Sequence, residues 1–139
     1  EHIPHTTSLL VSLKTLADTI DEVYGIEDRV EAIKAANYLK EFFNKLFYAF
    51  PDEFLGDVAT IREKSLINAN VMFYGYVLLS KRMKDEGISL DKLPEIIKKI
   101  DFSRDNKQWH EYKVLDKDKN VATRAKQGVY KFFKELDLV

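Results

Sequence analysis

Apolar residues recur along this chain at spacings of three and four, the period at which side chains line one face of an α-helix. The first run is Leu9, Leu13, Leu16, Ile20 and Val23. Thr6, Thr7 and Ser8 are placed to cap its start and Gly25 to end it. A second helix opens at Glu27 and Asp28, acids that suit the positive end of the helix dipole, and Pro51 closes it. Its inward positions read as Val30, Ile33, Leu39, Phe43, Leu46, Phe47 and Phe50, and the aromatics clustered at Phe42, Phe43, Phe47, Tyr48 and Phe50 read as core.

A third helix, the longest, is expected over 58–84, apolar on nearly all sides between Leu66 and Leu79, as for a helix surrounded by others. Asn68 and Asn70 interrupt that stretch and need hydrogen-bond partners if buried. Gly75 has no capping role, so its expected use is close approach by a neighbouring helix. Gly87 ends the helix, and Ser89 or Asp91 caps the next, whose inward face is Leu93, Ile96, Ile97 and Ile100. Ser103 is placed to cap a short turn through Asn106 and Trp109. Residues 112–121 form either a short β-hairpin or a plain loop. Thr123 then opens a last helix with Ala125, Val129, Phe132, Phe133 and Leu136 facing in. The pattern predicts an all-α fold, one helical bundle of about five helices occupying residues 1–139 as a single domain.

Composition narrows the chemistry. The 139 residues are 45% hydrophobic, which suits a globular core, and include no cysteine, which excludes disulfides, thiolate metal sites and cysteine nucleophiles. No apolar stretch is long enough to span a bilayer, and the first residues do not resemble a secretory signal, so the expectation is a cytoplasmic protein without a membrane partner. A start without Met suggests a processed product or an excised segment of something longer. Net charge is −1, but residues 1–94 carry 11 Lys/Arg against 15 Asp/Glu, whereas residues 95–139 carry 11 against 8. Positive charge gathers towards the C-terminal end.

No catalytic constellation emerges, and no cofactor or metal is implied. His2 and His5 have a metal-like spacing but sit beside Pro4 at the terminus. His110-Glu111 fails as a zinc-protease helix because Val114 stands where the second histidine belongs. Asp116, Asp118 and Asn120 mimic a calcium loop, yet Val121 and Gln127 occupy the positions that need glycine and glutamate. Asp52, Glu53 and Glu63 read as solvated acids, and Tyr74 and Tyr76 as packing. The chain is expected not to be an enzyme.

One surface feature points to a partner. Arg124, Gln127, Lys131 and Lys134 share the face of the last helix opposite its apolar stripe, and Lys113, Lys117 and Lys119 lie just upstream. Such a face can contact a phosphate backbone without reading sequence. It can equally be an ordinary solvated surface.

The run Ile100-Asp101-Phe102-Ser103-Arg104-Asp105-Asn106-Lys107-Gln108-Trp109 is the most distinctive in the chain. It resembles the I-D-W-S-R-x-N-x-x-W segment near the C-terminal end of DndB, the DNA phosphorothioation protein, and its DGQHR-domain relatives. Phe102 stands where the family has tryptophan, and the Asp-Gly-Gln-His-Arg motif is absent. The resemblance implies the helical C-terminal part of a longer protein, with a role in DNA sulfur modification or related bacterial defence through DNA binding or transcriptional control. Together with the basic face, the residues expected to contact DNA are Arg104, Lys107, Lys113, Lys117, Lys119, Arg124 and Lys131. Without the family, Asp101 and Arg104 read as close enough to pair or to tie the entry of the fourth helix to the following turn, and Trp109 as a plug between the last two helices. The rival expectation is a protein-interaction module that docks on its own missing N-terminal domain or on a partner subunit.

Overall fold

The computed structural model describes residues 13–138, so the capping assigned to Thr6, Thr7 and Ser8, the side chains of Leu9, Leu13 and Leu16, and the His2/His5 pair fall outside the described residues. The fold is all-α. Its helices are α1 (Leu13–Tyr24), α2 (Arg29–Ala49), α3 (Pro51–Leu55), α4 (Val58–Arg62), α5 (Met72–Asp85), α6 (Leu93–Lys98), α7 (Lys107–Glu111) and α8 (Ala125–Glu135). A 3₁₀ turn, Leu90–Lys92, leads into α6, and Ser89 caps it. The described residues contain no sheet, only isolated antiparallel bridges between Ser65 and Ser103 and between Leu115 and Val121. Residues 112–121 are therefore a loop closed by a single bridge.

Local chemistry sets the main boundaries. The Asp28 carboxylate accepts the Glu31 amide at 2.8 Å, and the Glu31 carboxylate accepts the Glu27 amide at 3.1 Å, so the entry of α2 satisfies two orphan donors. Gly25 and Gly87 end α1 and α5 in the left-handed conformation, with φ of 62° and 69°.

Two expectations fail here. The helix expected over 58–84 stops at Arg62, and among the described residues the longest helix is α2, with 21 residues. The break is imposed from a distance: the Leu66 amide donates to the Phe102 carbonyl at 2.8 Å, and the Arg104 amide donates to Lys64 at 3.0 Å. Asn68 is fully buried in the connector and donates to the carbonyls of Glu53 (2.8 Å) and Val58 (3.1 Å), while accepting from Arg62 Nε at 3.2 Å. A segment whose polar groups are engaged this way has no need of the helical ladder. Secondly, Val30 and Ile33 are 61% and 52% exposed. The inward face of α2 runs through Ala35, Leu39, Phe42 and Leu46, about half a turn away, and Phe43, Phe47 and Phe50 are half-buried.

The core is a chain of rings. Phe43 stacks on Phe73 at 5.8 Å, Phe73 meets Tyr76 edge-on at 5.5 Å, Tyr76 reaches Phe102, Phe102 stacks on Trp109 at 6.0 Å, and Trp109 lies 4.5 Å from Phe132. Tyr76 is fully buried and its hydroxyl donates to the Ile67 carbonyl, so packing and a satisfied hydroxyl account for it. Tyr74 packs against Tyr130.

Two glycines allow close approaches to and by α8, Gly75 from α5 and Gly128 towards the chain that follows α7. A Cβ on Gly75 would sit 2.6 Å from Val129 Cγ1 and closer still to the Phe133 ring, and one on Gly128 would strike the Tyr112 carbonyl oxygen. The α5–α8 contact thus depends on the missing side chain at Gly75. Gly75→Ala is expected to cost about 2 kcal/mol through overpacking, read as a lower urea midpoint with unchanged slope; an unchanged midpoint would refute the close approach.

Candidate nucleic-acid interface

The 101–109 run, which looked most like a binding motif, is engaged in holding the fold. The Asp101 carbonyl accepts both the Trp109 indole N–H at 2.9 Å and the Asn106 side-chain amide at 2.8 Å. Its carboxylate accepts the Ser103 amide, the Ser103 hydroxyl accepts the Asp105 amide, and Asn106 caps α7 through the Gln108 amide. Arg104 does not pair with Asp101. Its Nε donates to the Arg62 carbonyl at 3.1 Å and its Nη1 to the Lys119 carbonyl at 2.7 Å. The Arg62 carbonyl ends α4 and the Lys119 carbonyl lies in the 116–120 turn, and the guanidinium supplies each with a donor.

The suggested DNA contacts separate into groups. Arg104 and Lys119 line a cleft of about 630 Å³ with Lys64, but Glu63, Asp105 and Asp118 line it too, and Lys119 pairs with Asp105 at 2.5 Å. The hydrogen bond to Lys119 holds the Asp105 carboxyl below its ordinary range. Charge in that cleft is balanced. Lys107 is the exposed first residue of α7, and Lys117 is exposed in the 116–120 loop. In that loop the Asp116 carboxylate accepts the Asp118 and Asn120 amides, so it serves its own turn.

Lys113, Arg124 and Lys131 come together. They line a groove of about 370 Å³ between the end of α7 and the start of α8, with Glu111, Tyr112, Gln127 and Gly128. Among the described residues none of these three cations has an ion pair, and Glu111 is the groove's one acid. Lys131 Nζ lies 5.8 Å from the centre of the Tyr112 ring. The Tyr112 hydroxyl donates to Glu135 at 2.7 Å, a bond that pushes the phenol pKa up from its usual value. Thr123 does not cap α8: Arg124 occupies the cap position without a side-chain cap bond, and the Ala125 amide donates to the Ala122 carbonyl at 3.2 Å. That end keeps its partial positive charge facing the groove. Gln127 and Lys134 are exposed on the same helix.

Sequence reasoning included all three groove cations but could not separate them from the others, because their meeting depends on the backbone at Lys113. Among the described residues no three His, Cys, Asp or Glu side chains are grouped to hold a metal, and no helix is long and apolar enough to cross a membrane.

The chain is 35% identical over 143 positions to the SPbeta prophage-derived uncharacterized protein YopQ of Bacillus subtilis (strain 168). That similarity covers 98% of this chain and 31% of the relative, so the chain spans about a third of the length of the curated relative it matches. No protein-family model matches the chain, and no solved structure matches it.

A bracing role for Arg104 has a direct consequence. Arg104→Ala is expected to lower the unfolding free energy by about 1–3 kcal/mol, because two backbone carbonyls lose a charged donor. Urea denaturation checks this; a loss of nucleic-acid affinity with no loss of stability would contradict it.

Proposed function

We propose that this helical unit is a non-enzymatic part of a longer protein that contacts the phosphate backbone of DNA through the groove between α7 and α8. The observation carrying this reading is the gathering of Lys113, Arg124 and Lys131 without ion pairs beside the uncapped start of α8. Three cations with one neighbouring acid attract a polyanion, and flexible ammonium and guanidinium groups position a backbone without selecting bases. The resemblance of residues 100–109 to DndB and its DGQHR relatives supports DNA as that polyanion, with a role in DNA modification, defence or transcriptional control. Arg104 and Lys119 leave the contact set under this reading, and Lys107 and Lys117 are peripheral to it.

The outer face of α2 favours a second reading. Val30, Ile33 and Tyr48 are 61%, 52% and 75% exposed and recur on one side of the helix. An apolar face of this kind suits docking on a neighbouring domain of a longer chain, and the relative's greater length fits such a neighbour.

Titration of a fluorescent duplex at two salt concentrations separates the readings. Binding through three phosphates predicts a slope of log affinity against log salt of about −3. Arg124→Glu with Lys131→Glu should abolish binding while leaving the thermal midpoint within a few degrees, since both side chains are exposed. Absence of binding at low salt would reject the DNA reading and leave docking, in which case Ile33→Glu should weaken association with the neighbouring domain.

A further inference from the structure

Lys113 sits where a helix asks for glycine. α7 ends at Glu111, and the Lys113 amide donates to the His110 carbonyl at 3.0 Å while the Val114 amide donates to Trp109 at 2.8 Å. This is the paired-bond helix ending in which the residue just past the cap takes the left-handed conformation, and Lys113 has φ of 64°. A Cβ is disfavoured there, and glycine or asparagine is the usual occupant. Lys119 also has positive φ, at 66°, but its ammonium pairs with Asp105 and its carbonyl accepts from Arg104. Among the described residues Lys113 has no such partner. Its strained backbone is matched instead by its place on the groove beside Arg124 and the first turn of α8, which has no side-chain cap.

From this we infer that Lys113 is the anchor of a phosphodiester seat for double-stranded DNA, formed with Arg124 and the first turn of α8. The inference rests on the DNA reading above and names the class of nucleic acid and the residue that fixes it. The left-handed turn that ends α7 sets the direction in which the Lys113 side chain leaves the backbone, and that direction is into the groove it lines with Arg124. The groove's own aromatic ring points to a duplex. A single strand gains affinity by stacking bases on open aromatic faces. The Tyr112 ring has Phe132 edge-on at 5.6 Å, Lys131 near its centre and its hydroxyl tied to Glu135, so it is held as a wall. Cations beside a closed ring serve an exposed phosphate backbone, which a duplex presents with its bases already stacked.

The test pairs stability with affinity. Lys113→Gly removes the ammonium and relieves the backbone, whereas Lys119→Gly relieves a similar conformation but loses an ion pair outside the groove. The wild type and both variants are titrated with a labelled 20-base-pair duplex and with each of its single strands, and each is melted. Lys113→Gly is expected to raise the thermal midpoint by about 4 °C, to weaken duplex binding several-fold and to reduce the salt slope by about 0.9. Lys119→Gly should leave duplex affinity unchanged. A more stable Lys113→Gly that binds as well as wild type would overturn the anchor role while the DNA reading stands. Tighter binding of the single strands would overturn the duplex assignment alone. Failure of the wild type to bind either form would remove both the inference and the reading beneath it.

Discussion

The fold depends on a short backbone pairing between two segments about 40 residues apart. Leu66 donates to Phe102 and Arg104 donates to Lys64, with Ser65 and Ser103 bridged between them. This pairing interrupts what would otherwise be one long helix and turns the chain before α5. It also draws Phe102 over Trp109, so that one line of rings runs from α2 to α8. The Arg104 guanidinium extends the brace by binding the carbonyls of Arg62 and Lys119, joining the end of α4 to the 116–120 loop. Removing any one bond costs little, but together they decide where three segments meet.

That brace sets up the groove at one remove. Trp109, held by the Asp101 carbonyl, fixes α7, and the ending of α7 forces Lys113 into its left-handed turn. Gly128 then lets α8 approach the Tyr112 carbonyl more closely than any side chain would permit. Arg124 and Lys131 consequently line the same groove as Lys113. Affinity, on the proposed reading, comes from the groove, and rigidity from the run behind it. The most distinctive sequence segment is thus the support rather than the contact.

How much of this was legible in the sequence depended on the range of the interaction responsible. Helical spacing and glycine placement are local signals, and they correctly indicated an all-α fold, the ends at Gly25 and Gly87, the close approach at Gly75 and the inward face of the last helix. The break after Arg62 was invisible because Phe102 and Arg104, remote in sequence, impose it. Val30 and Ile33 keep helical spacing yet face outward, since periodicity marks an apolar stripe without saying whether a neighbour reaches it. For Arg104 the nearest carboxylate was the natural partner, whereas its real acceptors are main-chain carbonyls, which carry no sequence mark. Lys113, Arg124 and Lys131 were among the suggested contacts, but their separation from Lys119 required the ion pair to Asp105 and the positive φ at Lys113. Neither can be inferred from charge alone.

Hydrogen exchange at two protons tests the central claim most directly: the Leu66 amide and the Trp109 indole N–H. If the 64–66/102–104 pairing and the Asp101–Trp109 bond are the constraint on which the fold depends, both protons exchange only on global unfolding, with protection matching the stability measured by urea. Exchange of either proton many-fold faster, with the slowest amides of α5 and α8 still protected, would show that the brace opens while the fold persists, and would contradict the account.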